Sequence, residues 1–355
     1  MRLVILMPSL FYGGAETQFR RLFENIEDSY IATIDYAKGS QADEFRRKYD
    51  YRIKELRLYG SNNLWKSLQT YYNIICLLFL LRYKLKGRLM LVVYGSGTRW
   101  LLLYPIMRLL RYRILYSERN DGKHKLKLLY KIMSWCEVIT TNSIEAKNEL
   151  QRYITNKEII VINNGVIIPP FFNSQYKILT PVKILVPARI SRIKDQKVVI
   201  DALWDLNDVE IHFAGKVDEQ DYYLMLQKKI KELNCADKFF FDGYIENMME
   251  YYKDFSLVLL PSLSEGTANV LLECMALQIP CIASNIEMNK RLIRNDCFLF
   301  AVDNPHSLRD CVLNFISQRD TDIYEYLNEN YTFVKLNYST ENMVKSFKSL
   351  VSSIC

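Results

Sequence analysis

Short apolar runs alternate along the chain with longer stretches whose apolar residues recur at helical spacing. In the first half, the runs that predict strands are 3–7, 31–34, 89–94, 113–117, 138–141 and 159–162. In the second half, they are 183–187, 209–214, 239–241, 257–260 and 280–283. Buried strands that alternate with helices are typical of parallel sheets. We therefore predict an α/β fold with two Rossmann-like sheets.

The chain of 355 residues is too long for one typical core and fits two domains. The join is predicted near residues 168–172, because Pro169 and Pro170 exclude a helix there. This places the first domain at residues 1–168 and the second at residues 169–335. The last stretch, residues 331–351, is polar and is predicted to be helical.

Charge is unevenly distributed between the halves. Residues 1–170 carry 27 Lys and Arg against 15 Asp and Glu, whereas residues 171–355 carry 20 against 25. The basic clusters adjoin two apolar, aromatic segments, 71–81 and 100–116, which are too short or too interrupted to span a bilayer. Two interpretations stay open: docking onto an anionic membrane surface, or core helices with solvated charged faces. We expect no nucleic-acid partner, since no groove-reading motif is present.

Eight cysteines are scattered without paired metal spacing, which indicates reduced thiols in a cytoplasmic protein. The apolar start, MRLVILMPSL, is short and is followed at once by Gly13 and Gly14. We interpret it as the first strand, so the chain is not expected to be exported.

The stretch at residues 258–284 carries the clearest chemical pattern. Glu265 is predicted to lie in the loop after a strand, and Glu273 to lie one turn into the next helix, on the same face as Asn269. The small residues of the turn bring backbone amides to the helix start, where anions bind: Gly266, Thr267 and Ala268. Amides for phosphates and carboxylates for hydroxyls suit a nucleotide sugar.

Two further loops follow predicted first strands. Gly14 and Glu16 belong to a Gly-Gly-Ala-Glu turn whose glycines let the backbone approach a ligand closely. Arg189 and Lys194 follow the first strand of the second half, where two cations can neutralise a diphosphate and stabilise its departure. Ordinary surface charge is the alternative for these two cations.

The sequence SEGTANVLLECMA at residues 264–276, followed by Pro280, Ala283 and Ser284, resembles the Glu-x7-Glu signature of family 4 retaining glycosyltransferases. The Gly-Gly-Ala-Glu turn and the Arg-x4-Lys pair resemble two further motifs of that family. The resemblance implies a GT-B fold, with two Rossmann-like domains facing across a cleft. It also implies that the last helix, residues 336–355, crosses back to the first domain.

The resemblance implies roles for individual residues. Glu273 is expected to bind the donor ribose, and Glu265 the sugar hydroxyls near the reacting carbon. Arg189 and Lys194 are expected to hold the diphosphate, so no metal or cofactor is expected. Tyr244 and Ile245 resemble the segment that cradles the nucleobase through main-chain groups, which leaves UDP- and GDP-sugars indistinguishable.

One segment departs from the family pattern. Many members carry a histidine in the first domain that touches the donor sugar, whereas this chain has Ser117-Glu118-Arg119-Asn120, similar to a variant in bacterial surface-polysaccharide assembly. Glu118 and Asn120 are candidates for contacting sugar or acceptor hydroxyls. An ion pair between Glu118 and Arg119 is the structural alternative. His124, in the sequence GKHKLK, is interpreted as a surface residue.

The combined hypothesis is a retaining, metal-independent glycosyltransferase. It moves a sugar from a UDP- or GDP-sugar to a lipid-linked oligosaccharide in O-antigen, capsule or lipopolysaccharide synthesis, at the inner face of the cytoplasmic membrane. Two alternatives stay open: a nucleotide-sugar epimerase of GT-B type, and a non-catalytic nucleotide-sugar-binding subunit of a transferase complex.

Overall fold

The structure is a computed structural model, and it describes residues 2–7, 14–33, 40–55, 63–170, 180–265, 268–318 and 320–354. The chain divides into two compact units. Unit 1 comprises Met1–Gly165 and Thr340–Cys355, and unit 2 comprises Val166–Ser339.

Unit 1 is built on a seven-stranded parallel sheet. Its strands are Arg2–Met7 (β1), Ser29–Thr33 (β2), Ile53–Glu55 (β3), Leu89–Tyr94 (β4), Tyr112–Glu118 (β5), Val138–Thr141 (β6) and Ile159–Val161 (β7). They pair in the order β3-β2-β1-β4-β5-β6-β7. The chain reverses its direction across the sheet between β1 and β4, so the switch point of unit 1 lies there. Such switch points are where parallel sheets bind ligands.

Helices cover both faces of this sheet. They are Gly14–Asn25 (α1), Ser40–Tyr49 (α2), Asn63–Lys84 (α3), Tyr104–Leu109 (α4), Leu128–Trp135 (α5), Ile144–Gln151 (α6) and, from the end of the chain, Thr340–Ser353 (α14). Every residue of β4 is buried, as expected for a central strand covered on both sides. The last helix buries Met343, Val344 and Phe347 in the same apolar cluster as Phe19 and Phe23 of α1.

Unit 2 contains a six-stranded parallel sheet. Its strands are Val182–Pro187 (β8), Val209–Ala214 (β9), Phe239–Gly243 (β10), Leu257–Leu260 (β11), Cys281–Ser284 (β12) and Leu299–Phe300 (β13). The order is β10-β9-β8-β11-β12-β13, which puts the switch point between β8 and β11. The helices are Gln196–Leu203 (α7), Gln220–Glu232 (α8), Met248–Tyr251 (α9), Asn269–Ala276 (α10), Glu287–Leu292 (α11), Pro305–Ser317 (α12) and Asp320–Asn337 (α13).

The predicted α/β architecture with two parallel sheets is confirmed. The strands β3 and β13 were not predicted, because two or three residues carry no readable alternation. The stretch 331–351 is not one helix, since α13 ends at Asn337 and α14 begins at Thr340. The second apolar segment, 100–116, forms parts of a 3-10 helix, the short α4 and β5. In the described part of the chain, no helix is both long and apolar enough to cross a bilayer.

Candidate functional site

Two loops meet at the switch point of unit 2, one after β8 and one after β11. The Leu263 amide donates to the Ile193 carbonyl at 2.9 Å and ties the loops together. Beside this bond, Lys194 Nζ donates to Glu265 Oε1 at 2.5 Å, and both side chains are mostly buried. The fold thus brings together a cation and a carboxylate that are 71 residues apart in the sequence.

A chain of hydrogen bonds holds the loop that carries Glu265. Ser262 Oγ donates to Glu265 Oε1 at 2.6 Å, and Ser284 Oγ donates to the Ser262 carbonyl at 2.6 Å. The buried Asn289 amide then donates to the Ser284 carbonyl at 2.9 Å. The carboxylate is therefore fixed to the end of β12 and to α11. The sequence pattern did not indicate Asn289, because its contact joins α11 to the end of β12. It did not indicate Ser262 either, because that contact depends on the conformation of the loop after β11.

Arg189 leaves the carboxyl end of β8 in a loop that runs against the loop after β9. The Ile190 amide donates to the Lys216 carbonyl at 2.9 Å, and a β-carbon added to Gly215 would lie 2.1 Å from the Ala188 carbonyl oxygen. The Arg189 side chain is 63% exposed and forms an ion pair with Asp218. Sequence reasoning missed Asp218, which lies in the neighbouring loop.

Helix α10 presents the second predicted carboxylate. It begins at Asn269, directly after the buried Ala268, whereas the predicted Gly266 and Thr267 lie outside the described residues. Tyr252 donates its hydroxyl to Glu273 Oε2 at 3.4 Å. Burial, and then the charge of Glu273, raise the pKa of Tyr252 well above its usual value, so this hydroxyl stays a neutral donor.

The predicted nucleobase segment follows β10. Asp242 accepts hydrogen bonds from the Tyr251 hydroxyl at 2.9 Å and lies 3.1 Å from His212 Nδ1, so its carboxylate is held inside the unit. Tyr244 is exposed, with the Lys216 ammonium 4.6 Å from its ring centre, and Ile245 is half-buried. Tyr244 thus lies beside the loop after β9.

Asp195 adjoins Lys194 and is an unusual carboxylate. It is buried and lies in the left-handed backbone region (φ 45°), and its Oδ2 atom has no hydrogen-bond partner. Burial and then the charge of Asp303 raise the pKa of Asp195 from 3.8 to about 6. The folded protein consequently holds this proton more tightly than the unfolded chain does.

Because the pKa of Asp195 is raised, we expect the Asp195→Asn variant to gain stability in a pH-dependent way. A folded pKa above the unfolded one means that stability falls as the pH rises from about 4 to about 6. Asparagine tolerates the left-handed region and never ionises, so at pH 7.5 the variant should be more stable by about 2 kcal/mol. At pH 4.5 the gain should be much smaller. Urea unfolding at both values checks this, and an equal gain at both would contradict it.

In unit 1, the residues predicted to bind the donor (Gly14) or to lie on the acceptor or sugar side (Glu16, Glu118 and Asn120) occupy two places. Gly14 begins α1, and Glu16 lies buried in the first turn of that helix. Glu118 ends β5, and the side chain of the following Asn120 is exposed. Gly13 lies outside the described residues.

Glu118 is fully buried, and both of its oxygens are engaged. Oε2 accepts from the Tyr116 hydroxyl at 2.7 Å and is 2.6 Å from His124 Nε2, while Oε1 accepts from the backbone amides of Arg119 and Asn120 at 2.9 Å. Burial alone would raise the pKa of Glu118, but the bonds from His124 and Tyr116 outweigh it and hold that pKa below its usual value.

Two alternatives from the sequence are wrong. The Arg119 guanidinium does not pair with Glu118, because its Nη1 donates to Asn164 Oδ1 at 2.9 Å and its other nitrogens have no partner. His124 is not a surface side chain, since only 11% of it is exposed and its ring packs edge-on against Tyr130. The His124 ring donates to Glu118 at the end of β5 and is therefore mostly buried, although Lys123 and Lys125 on either side of it are exposed.

No group of three His, Cys, Asp or Glu side chains suited to a metal ion occurs within the described residues. The predicted independence from metal stays a prediction.

Comparison with known proteins agrees with this arrangement. Residues 169–332 match the family model described as glycosyl transferases group 1. A relative named as an uncharacterized glycosyltransferase of Methanocaldococcus jannaschii is 22% identical over 375 residues, which is 99% of this chain and 98% of the relative. An O-antigen biosynthesis glycosyltransferase of Escherichia coli, WclY, is 26% identical over 125 residues, 35% of each chain.

Solved structures share the fold. HepE of Anabaena, crystallised with UDP and glucose, superposes with a TM-score of 0.80 at 16% identity, covering 99% of this chain and all of HepE. This likeness confirms the predicted GT-B fold. Residues 169–332 thus resemble the group 1 glycosyl transferases.

Proposed function

We propose that the chain transfers a sugar from a UDP- or GDP-sugar to an acceptor hydroxyl, with retention of configuration and without a metal. The observation that carries the proposal is the Lys194–Glu265 ion pair at the switch point of unit 2. It lies at the place where parallel sheets bind ligands and combines a phosphate-binding cation with a hydroxyl-binding carboxylate. HepE, which has the same fold, has been crystallised with UDP-glucose.

The ion pair suits the arrival of a diphosphate. Phosphate oxygens compete with Glu265 for the Lys194 ammonium, and the carboxylate that is released can then accept bonds from sugar hydroxyls. Ser262 keeps Glu265 in place during this exchange. The exposed Arg189 can turn from Asp218 to the same phosphates at little cost, because exposed ion pairs contribute little.

Charge development in the reaction matches these groups. The bond between the anomeric carbon and the phosphate oxygen breaks with its electron pair on the phosphate, and Lys194 and Arg189 stabilise that negative charge. The acceptor oxygen bonds to the same face of the carbon, and its proton passes to the departing phosphate oxygen. Glu265 positions the sugar, and Glu273 positions the donor ribose, with Tyr252 fixing its orientation.

Binding of nucleoside diphosphates tests the donor site. We expect calorimetry to detect either UDP or GDP, and Glu273→Ala to weaken that binding at least about 10-fold, since it removes charge-assisted bonds. The control is Glu287→Ala on α11, whose carboxylate is exposed and only distantly paired with Arg291. If neither nucleotide binds, or if both variants lose affinity equally, the assigned site is wrong.

We further propose a lipid-linked oligosaccharide acceptor at an anionic membrane surface. The O-antigen role named for WclY supports such an acceptor. Unit 1 exposes large apolar side chains on α3 and α4, among them Tyr83 at 86% and Leu109 at 76%. Cations follow these side chains closely in the sequence, at Lys84 and Arg111. Apolar side chains beside basic ones fit the boundary of a bilayer that contains anionic lipid.

Sedimentation with vesicles tests this docking. Three exposed cations of unit 1 are changed to glutamine: Lys84, Lys86 and Arg88. Near an anionic surface each cation is worth about 1 kcal/mol, so binding should fall about 100-fold. The matched control changes three exposed lysines of unit 2: Lys228, Lys231 and Lys290. Equal sedimentation of the two triple variants would contradict the proposal, as would equal binding to vesicles without anionic lipid.

A further inference from the structure

Arg119 is a buried cation at the ligand-binding edge of the sheet in unit 1. It follows β5, next to the strand β4 that borders the switch point. Only 5% of the residue is exposed, and its guanidinium carbon lies 4.9 Å from the centre of the Phe19 ring on α1. Nη1 donates to Asn164 Oδ1 at 2.9 Å. The guanidinium is therefore held in one orientation by a ring and an amide.

One edge of this guanidinium has nothing to bind. Nε and Nη2 are both buried, and neither has a hydrogen-bond partner. These two nitrogens lie on the same side of the planar group and form the fork that matches two oxygens of a carboxylate or phosphate. A buried donor without a partner is costly, and more so when it is charged. A group with two acceptor oxygens would satisfy both nitrogens of this edge.

The neighbours do not neutralise Arg119 by direct contact. Burial lowers its pKa to about 10, and Glu118 opposes that shift from nearby, so the guanidinium stays charged at neutral pH. Both oxygens of Glu118 are already engaged by Tyr116, His124 and backbone amides. Tyr94, at the end of β4, stacks on Phe19 with the two ring centres 4.2 Å apart, so the ring that contacts Arg119 is itself packed against an aromatic residue. An oxyanion is the missing complement.

We propose that the Nε and Nη2 edge of Arg119 binds a phosphate oxyanion of a ligand that enters at the switch point of unit 1. This subsite extends the proposed function, in which no residue of unit 1 held a charge of the ligand. It rests on unit 1 alone, and so it can stand or fall independently of the donor site in unit 2. The phosphate belongs either to the lipid-linked acceptor or to the donor diphosphate.

The test uses the full chain with the cations of unit 2 removed by Arg189→Ala and Lys194→Ala. Calorimetry with inorganic pyrophosphate should then still detect binding, and adding Arg119→Met should weaken it at least about 10-fold. Arg119→Lys should fall between the two, because lysine keeps the charge but loses the fork. If the methionine variant does not fold, the Arg119→Lys variant alone still tests the proposal. UDP in place of pyrophosphate distinguishes the sources: UDP binding that depends on Arg119 identifies the donor, and pyrophosphate binding alone identifies the acceptor.

Thermal unfolding without ligand gives a readout that a purely structural arginine would not produce. Arg119→Met should unfold at the same or a higher temperature than the parent, because an apolar side chain replaces a buried charge lacking its complement. Two results would overturn the proposal. One is pyrophosphate binding that is unchanged by both Arg119 variants, and the other is no pyrophosphate binding in the background that retains Arg119.

Discussion

Replacing Lys194 by alanine should lower the rate of sugar transfer about 100- to 1,000-fold. The reason is that a preorganised donor at a developing negative charge is commonly worth that factor. Lys194 is such a group, because its position is fixed by Glu265 before any ligand arrives. Initial rates at saturating donor measure the effect.

Arg192→Ala is the matched control for this prediction. Arg192 lies between Arg189 and Lys194 in the same loop, but its exposed guanidinium pairs with Glu219 and Asp221. Its removal should change the rate less than about 3-fold. If Lys194→Ala and Arg192→Ala lower the transfer rate equally, Lys194 does not stabilise the charge of the leaving group. The double variant of Lys194 and Glu265 should lose less than the product of the single losses, because the two side chains are in contact.

Gly215→Ala should reduce the free energy of unfolding by about 3 kcal/mol or more. An added β-carbon would lie 2.1 Å from the Ala188 carbonyl oxygen and 2.9 Å from the Arg189 amide nitrogen, and these backbone atoms can yield only by separating the two loops. Urea unfolding measures the loss. The loop after β9 also carries Asp218, which pairs with Arg189, so donor binding should weaken as well.

Gly243→Ala provides the comparison. Gly243 has a positive φ of 68°, and no atom lies within 4 Å of an added β-carbon. The cost is then only that of the left-handed backbone, about 1–2 kcal/mol. A loss for Gly215→Ala no larger than that for Gly243→Ala would show that the loops after β8 and β9 are not in close contact.

The hydrophobic pattern was sufficient to predict the sheets but not their edges. Strands such as Leu89–Tyr94 are apolar throughout and are flanked by helical spacing, which makes them readable. The edge strands Ile53–Glu55 and Leu299–Phe300 are too short to show a period, and pairing with a neighbour creates them. The last helix was predicted to begin at residue 336, whereas α13 continues to Asn337 and α14 begins at Thr340.

The site was readable to the extent that it depends on spacing. The carboxylate motif and the two cations were identified from loops that follow strands, and the fold places Lys194 against Glu265. Asp218, which pairs with Arg189, could not be predicted because it comes from a different loop. Ser262 lies in the same loop as Glu265, but its contact depends on the conformation of that loop, which residue spacing does not reveal. The prediction for His124 was wrong because it relied on the residues next to it in the sequence. Its lysine neighbours are exposed, but the buried Glu118 accepts a bond from the ring.

Transfer of a radiolabelled sugar from UDP- and GDP-sugars to a lipid extract of the source organism tests the central claim most directly. We expect labelled lipid product from one donor, with the anomeric configuration retained and with loss of product in Lys194→Ala and Glu273→Ala. Donor binding without product would contradict the proposed transfer and favour a non-catalytic subunit. Conversion of the free nucleotide sugar to an isomer would contradict it in favour of an epimerase.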